Sequence, residues 1–86
     1  MKLSLLVIRC QDLEISHLFY ANLGFKFKEE KHGDGPRHYA AEADGFVFEL
    51  YPTNEWVCDN LRLGFSSDKV EKGIYTDPDG RKIEIN

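Results

Sequence analysis

The pair Asp44-Gly45 constrains this chain more than any other feature. It separates two strand-like runs, residues 37–43 and 46–51. Asp-Gly supplies the two positive-φ positions of a type I′ turn, whose twist matches that of paired strands, so it predicts a two-residue hairpin. Such a short loop also sets the register: Ala43 opposes Phe46, Ala40 opposes Glu49, and His38 opposes Tyr51. Side chains alternate along a strand, so Phe46, Phe48 and Leu50 share one face. Val47, Glu49 and Tyr51 share the other, beside His38, Ala40 and Glu42. The first face is wholly apolar and is expected to lie against a helix.

That helix is read upstream. Residues 3–10 are a largely apolar and β-branched run, which suits a strand buried on both faces. Asp12 is placed to cap the next turn, and Glu14 sits where the helix dipole favours a negative charge. Ile15, Leu18, Phe19 and Leu23 fall at helical spacing, and Gly24 stands at the C-terminal end. Residues 25–29 alternate as another strand, and residues 32–36 form a loop. Residues 1–52 therefore make one βαβββ unit. Residues 53–60 are a linker carrying Trp56 and Cys58. Residues 61–65 read as a strand, 68–72 as about one helical turn, and 73–76 and 81–85 as strands around Asp77-Pro78-Asp79-Gly80. The expected fold is a single α+β domain over 1–86: a first module at 1–52, a linker, and a shortened second module at 61–86.

Composition narrows the class. The 86 residues are 42% hydrophobic, 30% charged and 13% aromatic, as in a small globular domain with a thin core. Eleven basic residues against fifteen acidic ones give a net charge of −4, which argues against nucleic-acid and anionic-membrane partners. The N-terminal apolar stretch stops at Arg9, too short for a signal-peptide core or a membrane span. The expectation is a cytoplasmic protein. Cys10 and Cys58 lie in no CxxC pattern and read as free thiols. His17 reads as an exposed helix residue, Ser66-Ser67-Asp68 as a helix cap, and the Gly33-Asp34-Gly35 loop lacks the spacing of a phosphate cradle.

Two segments carry a resemblance. Asp12-Leu13-Glu14-Ile15-Ser16-His17-Leu18-Phe19-Tyr20-Ala21-Asn22-Leu23-Gly24-Phe25 resembles the D-L-E-x-S-x-x-F-Y-x-x-L-G-F signature of the vicinal oxygen chelate superfamily of glyoxalase I, bleomycin-resistance proteins and extradiol dioxygenases. Thr76-Asp77-Pro78-Asp79-Gly80-Arg81-Lys82-Ile83-Glu84-Ile85 is similar to the close of that family's second module. The resemblance implies two βαβββ modules forming a curved mixed sheet around a cavity. It places the family's four metal-ligand positions at Leu5, Glu49, Arg62 and Glu84. Leucine has no lone pair to give, and a guanidinium stays charged and does not ligate. Glu49 and Glu84 alone are a poor site, so no metal and no cofactor is expected, and Arg62 is expected to pair with one or both carboxylates.

The resemblance then implies a metal-independent protein that binds a small organic molecule in the sheet cavity. The candidate cavity residues are His38, Glu49, Tyr51, Trp56, Arg62, Tyr75 and Glu84, with the aromatic rings available to stack on a flat ligand. Catalytic residues are not identified. The alternatives are a glyoxalase-type lyase or isomerase whose metal site is completed across a dimer, and a non-catalytic structural remnant. Only eight residues separate Asp68 from Asp77, so most of the second module's helix and one strand are missing. The face formed by Leu61, Leu63, Phe65, Ile74, Ile83 and Ile85 is then expected to lack cover, and a homodimer is expected to supply it.

Overall fold

The computed structural model describes residues 1–86. Strand β1 (Leu5–Cys10) leads into the one helix, α1 (Leu13–Asn22). The Asp12 carboxylate accepts the Ile15 N–H at 3.1 Å, satisfying one of the unpaired donors of the first turn. At the other end Gly24 takes φ +107°, an angle glycine reaches without a Cβ clash. Strands β2 (Phe27–Glu30), β3 (His38–Ala43) and β4 (Phe46–Pro52) follow. Asp44 and Gly45 both have positive φ, 35° and 98°, and the hairpin pairs Ala43 with Phe46 and Ala40 with Glu49. β1 lies parallel to β4, with Leu5 beside Val47, Val7 beside Glu49 and Arg9 beside Tyr51. The sheet order is β1-β4-β3-β2.

A second sheet holds β5 (Arg62–Phe65), β6 (Gly73–Thr76) and β7 (Lys82–Ile85) in the order β5-β7-β6. β5 runs parallel to β7, and β6 antiparallel to it, which repeats the relation of β1 and β3 to β4. The fold is α+β. Its strands divide into two separate sheets rather than one continuous curved sheet, and residues 68–70 bend where a helical turn was expected.

One core serves both sheets. Ile8, Leu13, Tyr20, Phe48 and Leu50 from the first half join Ile83 and Ile85 from the second in a single buried cluster. Phe65 of β5 packs its ring 5.1 Å from Phe25 and 6.1 Å from Phe48. The second sheet therefore covers its apolar face within the chain. Ile83 and Ile85 are buried and Leu61, Leu63 and Phe65 are half-buried, so the bare face expected from the missing helix is not there. The Trp56 linker plays no part in this cover, since Trp56 is 85% exposed.

Two local expectations are corrected. The buried stripe of α1 is Leu13, Ser16 and Tyr20, while Ile15 and Leu18 face outward. Small Ser16 lies against the Cys10 thiol, which lets the helix sit close to β1, and Tyr20 is drawn inward by a buried polar partner. In the β6–β7 hairpin the loop takes five residues rather than four, because Arg81 belongs to the turn. The Asp77 N–H donates to the Arg81 carbonyl at 2.9 Å, and the Arg81 N–H donates to Asp77 Oδ1 at 2.9 Å. One extra residue flips the face of every side chain on β6 relative to the four-residue register. Tyr75 thus opposes Ile83 on the core side, and Ile74 opposes Glu84 on the outer side, 62% exposed. His17 is also not free: its ring stacks on Tyr39 at 3.9 Å.

The halves are joined by a buried polar knot. The Tyr20 hydroxyl donates to Asp77 Oδ2 at 2.5 Å. Arg81 donates to Asp77 Oδ2 at 3.2 Å, to Asp59 Oδ2 at 2.8–2.9 Å, and to the Arg9 carbonyl at 2.7 Å. Burial and the Asp77 hydrogen bond push the Tyr20 phenol far above its usual range, so it is a permanent donor. Removing a hydrogen bond to a charged acceptor costs about 1.5–3 kcal/mol. Tyr20→Phe is expected to lower the urea unfolding free energy by about that amount with the denaturant slope unchanged, and a loss below about 0.5 kcal/mol would show that the bond is not integral to the fold.

Candidate functional site

Opposite the helix, the first sheet presents an uncovered face arranged in rows by register. Nearest the Cys10 end stand Arg9, Tyr51 and His38, with Glu30 paired to His38 at the edge. The next row is Val7, Glu49, Ala40 and Lys28, and beyond it lie Leu5, Val47 and Glu42. Leu5 and Val7 are exposed on this face.

The first row is a packed column. Tyr51 stacks on the His38 ring at 4.2 Å and 9°, and the Arg9 guanidinium lies 4.9 Å from the Tyr51 ring centre on the β1 side. His38 is 1% exposed despite belonging to this open face, because Tyr51 covers one side and the 31–37 loop folds past it. Its Nδ1 lies 3.2 Å from the Pro36 carbonyl. Its Nε2 faces Glu30 Oε1 at 3.3 Å, the Tyr51 hydroxyl at 3.4 Å and Glu49 Oε2 at 3.9 Å.

Beside this column a depression of about 610 Å³ is lined by Lys26, Lys28, Glu30, Ala40, Ala41, Glu42, Val47 and Glu49. Its walls come from the first sheet and the residue just before β2, and they are mostly charged: Lys26, Lys28 and Glu30 on the β2 side, Glu42 on β3 and Glu49 on β4. A second depression, of about 410 Å³, opens between the end of α1, the β3–β4 turn and β5, and holds none of the expected site residues.

The sequence-derived candidates do not converge. His38, Glu49 and Tyr51 share the open face, but both sides of the Tyr51 ring are taken by Arg9 and His38, so it offers no surface to a flat ligand. Tyr75 faces the core and donates its hydroxyl to the Glu71 carbonyl at 2.5 Å. Trp56 stands out from the linker in solvent. Arg62 and Glu84 sit on the second sheet, paired at 2.5 Å, and neither meets Glu49. The hydrogen bond from Arg62, with one from Asn86, holds the Glu84 carboxyl below its usual range. Glu30, His32, Arg9 and Lys28 complete the open face. The alternation of residues 25–29, carried one residue further, places Glu30 opposite His38, whereas His32 lies in an irregular loop that no period marks.

The two cysteines are free: Cys10 is buried and Cys58 exposed. Burial pushes the Cys10 thiol up to about 11, so it carries no thiolate at neutral pH.

No protein-family model matches the chain, and no curated protein matches its sequence. Solved structures share the fold. An integron cassette protein from the mobile metagenome of V. cholerae superposes with a TM-score of 0.67 at 21% identity, over 99% of this chain and 93% of its own. A structure from the mobile metagenome of V. pseudocholerae gives 0.67 at 20% identity, over 99% and 92%. The overall arrangement of this chain thus recurs in solved proteins.

Two measurements check this geometry. Arg62 and Glu84 are 63% and 36% exposed, so Arg62→Leu is expected to change stability by less than about 1 kcal/mol, whereas a buried pair would lose about 3–5. Thiol labelling of the native protein is expected to modify Cys58 alone, with Cys10 reacting only in denaturant; rapid native labelling of both would contradict the burial of β1 under α1.

Proposed function

We propose that the protein is a small-molecule binding protein of the glyoxalase and bleomycin-resistance type, holding a polar organic ligand on the open face of its first sheet. The observation that carries this reading is the depression of about 610 Å³ beside Glu49, on a sheet face that the chain leaves uncovered. The family assignment is supported by the strand order β1-β4-β3-β2 and its partial repeat in β5-β7-β6, together with the two motif segments. Of the family's four metal positions, Glu49 alone lines this depression. Leu5 presents hydrocarbon, and the carboxylate of Glu84 is engaged by Arg62.

The lining sets the ligand chemistry. With no free aromatic ring face, recognition rests on charge: a cationic group of the ligand goes to Glu42 and Glu49, and an anionic group to Lys26 and Lys28. A lyase or isomerase completed across a dimer has no observation in its favour, since the second sheet's apolar face is already covered within one chain. Recurrence of the overall arrangement supports a fold that stands by itself over a degraded remnant.

An NMR screen of small amines, zwitterions, carboxylates and flat aromatics tests the reading. Polar zwitterions or amines are expected to shift the amides of Ala40, Val47 and Glu49, and Glu49→Gln to weaken binding by about tenfold or more, the equivalent of about 1.4 kcal/mol. Shifts confined to Phe25, Phe65 and Ile85 would move the site to the other depression, and no shifts at millimolar ligand would defeat the proposal.

A further inference from the structure

His38 is buried with its two ring nitrogens in contrasting company. Pro36 offers Nδ1 only a carbonyl oxygen, at 3.2 Å, and a carbonyl accepts, so Nδ1 carries a proton and donates it. In the neutral ring this leaves the Nε2 lone pair pointing outward. What it meets are two carboxylate oxygens, Glu30 Oε1 at 3.3 Å and Glu49 Oε2 at 3.9 Å, and the Tyr51 hydroxyl at 3.4 Å. Two carboxylates turned toward one imidazole nitrogen make a place that favours a cation. A third donor comes from the loop: His32 Nε2 stands 3.4 Å from the same Glu30 Oε1, and its ring centre is 5.2 Å from that of His38.

We propose that Glu30, His32 and His38 form a binding site for a divalent transition-metal ion of the Zn²⁺ type. One nitrogen from each histidine and one Glu30 oxygen all lie within 4.8 Å of one another. The two Glu30-to-histidine separations, 3.3 and 3.4 Å, match the edge of a tetrahedron whose metal–ligand bonds are about 2.0–2.1 Å. The two histidine nitrogens lie within 4.8 Å of each other, and His32, 73% exposed and in a loop, is free to rotate to adjust that separation. Two imidazoles and one carboxylate are a donor set that borderline metals favour over Mg²⁺ or Ca²⁺. The Nδ1–H···O=C bond of His38 is the outer contact that orients a metal-bound histidine. The fourth position borders Glu49 and the depression beside it. This trio is separate from Leu5, Glu49, Arg62 and Glu84, and metal affinity is read without any organic ligand, so the inference stands or falls independently of the proposed function.

The test is calorimetric titration of Zn²⁺ into the metal-stripped 86-residue chain, with Cys58→Ser throughout to remove the exposed thiol. His38 is too buried for a safe deletion, so the variants are His32→Ala, on an exposed side chain, and Glu30→Gln. One Zn²⁺ per chain is expected, weakened at least about tenfold by either variant, since even losing an outer contact costs about 10–100-fold. In NMR the His38 Nε2 resonance is expected to move on Zn²⁺ addition while Nδ1 keeps its proton. Failure to bind at micromolar Zn²⁺ would overturn the proposal. Binding of equal strength in His32→Ala and Glu30→Gln would overturn it as well, by placing the ion elsewhere.

Discussion

The bond from the Tyr20 hydroxyl to Asp77 is the point on which both halves of the molecule turn. The two sheets share no strand pairing, so no backbone ladder fixes one against the other. Apolar contact holds them together but is non-directional. Direction comes from the knot: Arg81 reaches back to the Arg9 carbonyl on β1 and across to Asp59 at the end of the linker, while Asp77 takes Tyr20 from the helix. The Gln11 N–H adds a bond to Asp79 from the segment between β1 and α1. Buried ions left alone would each cost several kcal/mol, but here the guanidinium and the Asp77 carboxylate are both supplied with partners. Burial works against the charged form of Arg81, and its hydrogen bonds to Asp59 and Asp77 outweigh that, raising its pKa.

With the sheets held in this relation, one helix is enough. The core-facing side chains of β5 and β7 meet the aromatic cluster of Phe25 and Phe48 rather than a second helix. A small chain gains from this economy, because a shared core buries more area per residue than two half-cores. The arrangement also leaves the far face of the first sheet without a covering element, and that is where the polar residues of β2, β3 and β4 gather.

How far the sequence reaches follows from where the chain obeys local rules. The Asp44-Gly45 turn specified its own register, and with it the shared face of His38, Glu49 and Tyr51. Asp12 and Gly24 marked the helix ends by backbone chemistry that needs no distant partner. The failures come from tertiary contacts. Ile15 and Leu18 were expected inside by periodicity, but Tyr20 turns inward to a partner 57 positions away. The β6 register slipped by one because Arg81 bonds back to Asp77 and joins the turn, which exchanges Tyr75 with Ile74. The short segment between Asp68 and Asp77 led to the expectation of an uncovered apolar face, and nothing local said that the first half's core would cover it. His32 was invisible as a site residue because irregular loops carry no period.

These outcomes bear on what the two motif segments mean. Tyr20 comes from the first and Asp77, Asp79 and Arg81 from the second, and they meet in the buried knot rather than at the open face. These short sequence patterns therefore include residues that hold the halves together. The residues with chemistry to offer a ligand or an ion, Glu30, His32, His38 and Glu49, lie outside both patterns. A chain of this architecture can keep every residue of the knot and still change the side chains of its open face, because no bond of the knot passes through β2, β3 or β4. The side chains that join the halves and the polar side chains of the open face are separate sets, set on opposite sides of the first sheet.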